Sequence, residues 1–182
     1  MIRTKRSIAV SKTRQHLEPG PIVLISSAWK GKTNIMTLGW HGMIAYEQVI
    51  TYIWDANHSF EMTRQSGECV INVPTVDMLD TVVAIGNCHG KRIDKFTKFD
   101  LTAAEAAEVN VPLIAECYAS FECQLSDDSL IEERGLFIWD VVKAHVAPTP
   151  KNPRTIHYRG GGHFMIAGKA VDMRRKFKRG NL

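Results

Sequence analysis

The segment Gln48-Val-Ile-Thr-Tyr-Ile-Trp-Asp55 alternates like a β-strand, and both of its faces are largely apolar. Val49, Thr51 and Ile53 line one face; Ile50, Tyr52 and Trp54 line the other. A strand of this kind is expected to be covered on both sides, which requires a layered or closed β architecture. Other stretches read the same way. Pro19-Gly-Pro21 punctuates the entry into Ile22–Ser27, a β-branched run without breakers. Lys30-Gly-Lys32 is turn chemistry and leads into Asn34–Trp40, so a hairpin is predicted. Cys69–Val73, ended by Pro74, and Tyr118–Leu125 are further strands. Leu136–Val146 is a long one, with Leu136, Ile138, Val142, Ala144 and Val146 expected on one face and Asp140 interrupting it.

Helical signals are short. Ser59 reads as the N-cap of a helix running to Gln65, with Gly67 as its stop. Met78, Leu79, Val82, Val83 and Ile85 repeat at helical spacing. Ala103–Val109, rich in Ala and Glu, predicts another helix. Residues 147–162 are a Pro-rich, then Gly-rich connection. Dominant strands with short helices predict a mainly β, closed or nearly closed barrel with helical insertions. A length of 182 residues suits a single domain.

The net charge of +4 is uneven. Residues 1–14 carry five basic and no acidic side chains, and residues 169–182 carry six basic ones and a single Asp. Residues 15–168 between them are acidic overall. The basic character therefore lies in two terminal arms, expected to be solvated. The C-terminal arm has one aromatic residue, Phe177, too little stacking surface for a nucleic-acid site. No apolar run approaches the roughly 20 residues that span a bilayer. The basic start Met1–Arg6 lacks a following apolar segment, so cytoplasm is the expected location. The four cysteines (Cys69, Cys88, Cys117, Cys123) form no C-x-x-C pair and read as buried thiols. Cys117 and Cys123 would lie about 20 Å apart on one strand, too far to bridge.

G-x-G-x-x-G, the P-loop signature, G-x-S-x-G and H-E-x-x-H are all absent. The seven histidines are scattered, and no metal site is expected. Asp127/Asp128 and Glu132/Glu133 read as a solvated turn. A chain with no acid, base or nucleophile set fits chemistry carried by a bound cofactor.

Four segments stand in a telling order. They are Pro21–Ser27 with Asn34-Ile-Met-Thr-Leu-Gly-Trp40; His58-Ser-Phe60 with Ser66-Gly-Glu-Cys-Val-Ile-Asn-Val-Pro74; His89-Gly-Lys-Arg-Ile-Asp-Lys-Phe96; and Val111–Cys117 with Phe121-Glu-Cys123, Leu136-Phe-Ile138 and Gly161-Gly-His-Phe164. Together, across about residues 19–168, they resemble the flavin reductase-like family of FMN-binding split barrels, whose simple members are flavoredoxins. The resemblance implies a Greek-key split β-barrel, a homodimer, and one FMN per subunit in a groove near the dimer interface. It also implies either a reductase that passes a hydride from NADH or NADPH to flavin, or an FMN-holding electron carrier that docks a redox protein. A third possibility is a flavin-free structural dimer that kept only the fold.

By spacing alone, Asn34 is a turn residue, Met36 is core and Lys95 is a surface lysine. The resemblance instead makes Asn34, Met36, Thr37 and Gly39 flavin contacts. It puts His58 and Ser59 at the phosphate, where a helix N-terminus helps, and Lys95 there as a point charge. Phe96 is core or a wall against the ring. Cys88, Arg92 and His163 complete the expected cofactor site, and no catalytic side chain is expected. This chain departs from the family at Tyr46-Glu-Gln48, where a Pro pair is common, and at Trp139, where glycine is usual.

Overall fold

The computed structural model describes residues 1–181. Its first residues are not a solvated tail. β1 (Arg6–Ile8) adds to the main sheet, Lys5 Nζ donates to the carbonyls of Ile114 (3.0 Å) and Ala115 (3.1 Å), and Arg3 reaches Thr75 and Asp77. A lysine that is part-buried and bonded to two carbonyls is a fastener, and charge composition does not distinguish it from a solvated one.

α1 (Arg14–Leu17) leads into β2 (Val23–Trp29) and β3 (Lys32–Leu38). β4 (His41–Met43) and β5 (Gln48–Tyr52) follow, then α2 (His58–Ser66) and β6 (Glu68–Val73). Next come α3 (Leu79–Gly86), α4 (Lys95–Lys98), β7 (Ala103–Ala104) and β8 (Leu113–Ile114). β9 (Ala119–Asp127), α5 (Ile131–Arg134), β10 (Leu136–Val146), β11 (Ile156–Tyr158) and β12 (Phe164–Ile166) complete the elements used below.

The main sheet is antiparallel, in the order β3-β2-β6-β9-β10-β5-β4. β10 pairs with β9 along one side and with β5 and then β1 along the other. The result is a curled half-barrel with few, short helices. The expected β2–β3 hairpin forms, closed by Lys30 and Gly31 at φ 50° and 73°, the primed-turn geometry that matches strand twist. The interior of the half-barrel is filled from Val23, Ile25, Met36, Val49, Ile71, Phe121, Phe137 and Trp139, all buried. A second cluster of Leu24, Ile35, Val82, Ile85 and Phe96 fixes α3 and α4 to the outer face of β2 and β3.

Several local expectations are corrected. Only one face of Gln48–Asp55 is covered: Val49, Thr51 and Ile53 are buried, while Trp54 is 60% exposed and Tyr52 half-buried. In β10 the inward residues are Phe137, Trp139 and Val141, then Ala144 and Val146. The register against β9 shifts between Val141 and Lys143, so one extra residue swaps the faces. Strict alternation along the sequence does not reveal such a bulge. Trp139 donates from Nε1 to Thr51 Oγ1 (2.9 Å) and its ring stacks on Phe137, so the side chain found where glycine is usual fills the half-barrel.

Ala103–Val109 is not helical. Its backbone N–H groups are taken by a buried carboxylate: Glu122 accepts from Ala107 (3.0 Å), Glu108 (2.6 Å) and Val109 (3.2 Å), and lies 2.5 Å from His145 Nε2. A fixed anion bonded to three donors outcompetes the modest helix preference of Ala and Glu. The segment becomes a strap across the outer face of β6 and β9, with Val109, Val111 and Leu113 packed on Val70. Asn72 ties the same region together. Its Nδ2 donates to Leu24 O and Ser26 Oγ, and its Oδ1 accepts from Ile114 N and Ser120 Oγ. The four cysteines are free; Cys69 and Cys123, on adjacent strands, face each other in register, and Cys117 lies before β9 rather than on it.

Candidate functional site

β3 is the end strand of the sheet, and its free edge is where most of the candidate residues meet. Asn34, Met36 and Leu38 face the interior side, and Ile35 and Thr37 face α3. The chain from Gly86 to Lys98 crosses this edge. Gly86 lies against Thr37, and Gly90 lies against the Asn34 carboxamide.

Asn34 Nδ2 donates to Ser59 Oγ (2.9 Å), and both residues are buried. Asn34 Oδ1 is a buried acceptor without a hydrogen-bond partner. Ser59 is not the cap of α2. Asn57 holds that position, so Ser59 sits inside the first turn with its hydroxyl turned toward β3. Gly67, at φ 65°, stops the helix as expected. Thr37 Oγ1 donates to Val82 O (2.7 Å) and so fastens β3 to α3.

Lys95 is not a surface lysine. Only 3% of it is exposed, and its Nζ donates to Ile85 O (3.0 Å) near the end of α3. Burial lowers its pKa; Cys88 opposes that shift and Lys98 adds to it. Cys88 is half-buried and accepts from Lys98 Nζ (3.4 Å).

His58, at the N-terminus of α2, has its ring 6.1 Å from that of His89. Its pKa is lowered by partial burial and then by the neighbouring His89, Lys32, Lys91 and Lys95. None of those neighbours is a carboxylate. Four basic residues thus lie near His58 in the first turn of α2, a turn that also carries Glu61, and the helix dipole there favours an anion. Chemically the place suits a phosphate. Lys32, His89, Gly90 and Lys91 belong to this site as well, although the motifs did not single them out as cofactor contacts. The signal for them in the sequence is the His89-Gly-Lys run within the third segment.

The remaining candidates divide. Arg92 is on the same crossing segment but exposed. Met36 and Phe96 are buried in the two core clusters, so packing explains their side chains. Gly39 has its Cα hydrogen directed at Ile22, where an added Cβ would lie 3.0 Å from Cδ1. His163 is exposed in the β11–β12 turn, away from these contacts, where its backbone N–H donates to Gly160 O.

No helix among the described residues is long and apolar enough to cross a membrane. The family model described as the flavin reductase like domain matches residues 15–176. A crystal structure of an FMN-binding domain of a flavin reductases-like enzyme from Shewanella baltica OS155 superposes with a TM-score of 0.85 at 25% identity, covering 94% of this chain and 98% of that one. Flavoredoxin of Desulfovibrio vulgaris (Miyazaki F) shares the fold, with a TM-score of 0.78 at 18% identity over 88% of this chain and 92% of its own. The uncharacterized protein YddH of Escherichia coli K12 is 25% identical over 175 residues, which cover 85% of this chain and 90% of YddH. The mainly β half-barrel, its ordered motifs and the match along most of its length agree: the chain belongs to the flavin reductase-like family.

Proposed function

We propose that the chain binds FMN at the free edge of β3 and acts as an oxidoreductase that takes electrons from NADH or NADPH. The observation that carries this reading is the pairing of the unpartnered, buried Asn34 Oδ1 with the basic groups Lys32, His58, His89, Lys91 and Lys95 near the start of α2. The residues fit the group. A phosphate dianion matches the cluster and the first turn of α2, and Asn34 Oδ1 can accept from a hydroxyl or ring N–H.

FMN, when bound, supplies the electron and hydride chemistry. The side chains bind and orient. Lys95 holds a fixed cation, and Ser59 holds Asn34 in place. Thr37 keeps α3 against β3, and the chain through Gly90 closes one side. No protein acid or base is required in that arrangement, which the sequence also lacks as a recognisable set.

A homodimer belongs to the same reading. Trp40 (71% exposed), Ile44, Tyr46 and Trp54 leave an apolar surface around β4 and β5 that a second subunit would cover. A cytoplasmic location, with a nicotinamide nucleotide or a redox protein as electron partner, completes it. The rival reading is an FMN-holding electron carrier, to which a site of Asn, Ser, Thr and Lys is equally suited.

The test is an absorbance spectrum of the purified protein, then addition of NADH or NADPH without air. Bound flavin that bleaches rapidly is the expected result. Flavin that stays oxidised favours the carrier. A protein that neither holds nor takes up FMN defeats both.

A further inference from the structure

A cavity of about 320 Å³ sits where β6 ends and β9 begins, over Val73 and Tyr118. Residues 15–19, from α1 and the turn after it, supply one wall, and residues 151–157 and 167–170 supply the other. The second wall is fixed in place. Ile22 N donates to Ile156 O (2.7 Å) and Ala167 N to Thr155 O (2.8 Å). His157 Nδ1 lies 3.0 Å from Gly20 O, which only accepts, so Nδ1 carries the proton and Nε2 accepts from Thr155 Oγ1 (3.0 Å). β6 and β9 are the third and fourth strands counted from β3, which puts the cavity roughly 10–14 Å across the sheet from the edge assigned to flavin.

Tyr118 is only 4% exposed, yet among the described residues it joins the hydrogen-bond network through its backbone alone, N to Val73 O and O from Ala147 N. A tyrosine hydroxyl so nearly buried ordinarily has a partner, and here the cavity is its open side. The His16 ring lies beside it, 6.0 Å from the Tyr118 ring and 5.9 Å from that of Phe121. Burial lowers the His16 pKa, so at neutral pH the imidazole is uncharged, with one donor and one acceptor nitrogen. Lys151 is exposed at the rim and enters no ion pair among the described residues. No carboxylate lines the cavity. Glu18, next to Pro19, is turned to Arg14 (3.5 Å). The rest of the lining is largely apolar, with Pro19, Val73 and Pro153.

We propose that this cavity is a second ligand site, for a small aromatic carboxylate, with the carboxylate on the Tyr118 hydroxyl and the Lys151 ammonium and the ring against His16 and the two prolines. The sign of the charge follows from the lining, where the fixed charge is a cation and a cationic ligand would meet no carboxylate. A hydroxyl donating to a carboxylate makes a charge-assisted bond, stronger than one to a neutral acceptor. The flat ring follows from the imidazole and proline faces, which a bare inorganic anion would leave in contact with water. The size follows from the volume, which lies at the small end of the range for ligand pockets and is too small for a dinucleotide. This inference goes beyond the flavin reading and does not depend on it.

The experiment titrates the full chain, as purified, with benzoate and follows the ring proton resonances of His16 by NMR. Saturable shifts are expected below roughly 10 mM, the range open to so small a ligand. Acetate, which lacks the ring, and benzyl alcohol, which lacks the charge, should each bind at least about tenfold more weakly. Tyr118→Phe removes only a hydroxyl that no described residue uses, so the thermal melt should stay in place while benzoate affinity falls about threefold. Lys151→Gln, at an exposed position, should cost about two- to threefold, and the double variant about sixfold or more. Benzoate that leaves His16 unmoved, acetate or benzyl alcohol that matches benzoate, or an affinity that survives the double substitution overturns the proposal. Flavin content is read separately from the absorbance spectrum, so a failure here leaves the flavin reading standing, and the reverse.

Discussion

Gly90 and Asn34 touch so closely that a Cβ at position 90 would fall within the Asn34 carboxamide, 2.7 Å from Nδ2 and nearer still to Oδ1. Asn34 is buried and held by Ser59, so it cannot swing aside cheaply. Gly90→Ala is therefore expected to push the Cys88–Arg92 segment off β3, at a cost of about 1–3 kcal/mol. The check is a thermal melt together with an FMN titration. Unchanged melting and unchanged flavin affinity would remove the close approach from the site.

Ser59→Ala deletes the acceptor for Asn34 Nδ2 and leaves both polar atoms of the carboxamide unpaired. The expected loss is about 1–3 kcal/mol of stability in the flavin-free protein. Saturating FMN should recover part of it if the flavin supplies a partner to Asn34, and paired melts with and without FMN measure that recovery.

Lys95→Met keeps the bulk of the stem and removes the charge from a buried position. FMN affinity should fall at least tenfold, about 1.4 kcal/mol, while riboflavin, which has no phosphate, should lose little. The His58 ring offers an independent readout. Its pKa is lowered by burial and by neighbouring cations, so a bound phosphate dianion should move it upward. NMR titration of His58 with FMN and with riboflavin separates a phosphate effect from a general one.

Glu122→Gln tests the strap. Burial alone would raise the Glu122 carboxyl, but the N–H groups of Ala107 and Glu108 and the His145 ring outweigh it and hold it below the usual glutamate range. A carboxyl depressed in the folded state contributes stability that is present above its unfolded value, near 4.3. That contribution is lost as pH falls through the lower folded value. Acid unfolding of the wild type should carry this loss, and the Gln variant should show a shallower dependence below about pH 4.5. At neutral pH the variant should be less stable by about 2 kcal/mol, because an amide cannot replace an anion bonded to three backbone donors. Denaturant melts at pH 7, 5 and 3.5 measure both effects.

Trp139→Ala should cost about 3–5 kcal/mol, since the side chain is fully buried against Phe137. Trp139→Phe should cost less, mostly through the lost hydrogen bond to Thr51. Chemical denaturation of the two variants ranks them.

Hydrophobic period and turn chemistry are local properties, and what they control was legible in the sequence. The β2–β3 hairpin, the stop at Gly67, the strand from Cys69 to Val73 and the full extent of β10 all follow from neighbours along the chain. So do the ordered motifs that mark the family, and with them the grouping of Asn34, Thr37, Ser59 and Lys95. The tertiary structure decided the rest. Ala103–Val109 gives up helix because Glu122, fifteen residues beyond Ala107, supplies a buried anion to its N–H groups. The faces of β10 exchange because its register on β9 shifts between Val141 and Lys143. Lys5 and Lys95 are anchored by carbonyls because distant segments fold over them. Gly90 must be glycine because Asn34, remote in sequence, arrives at its Cα. A residue's own period and propensity carry no information about which distant donor, acceptor or surface will meet it, and in this chain those meetings build the strap and the basic site.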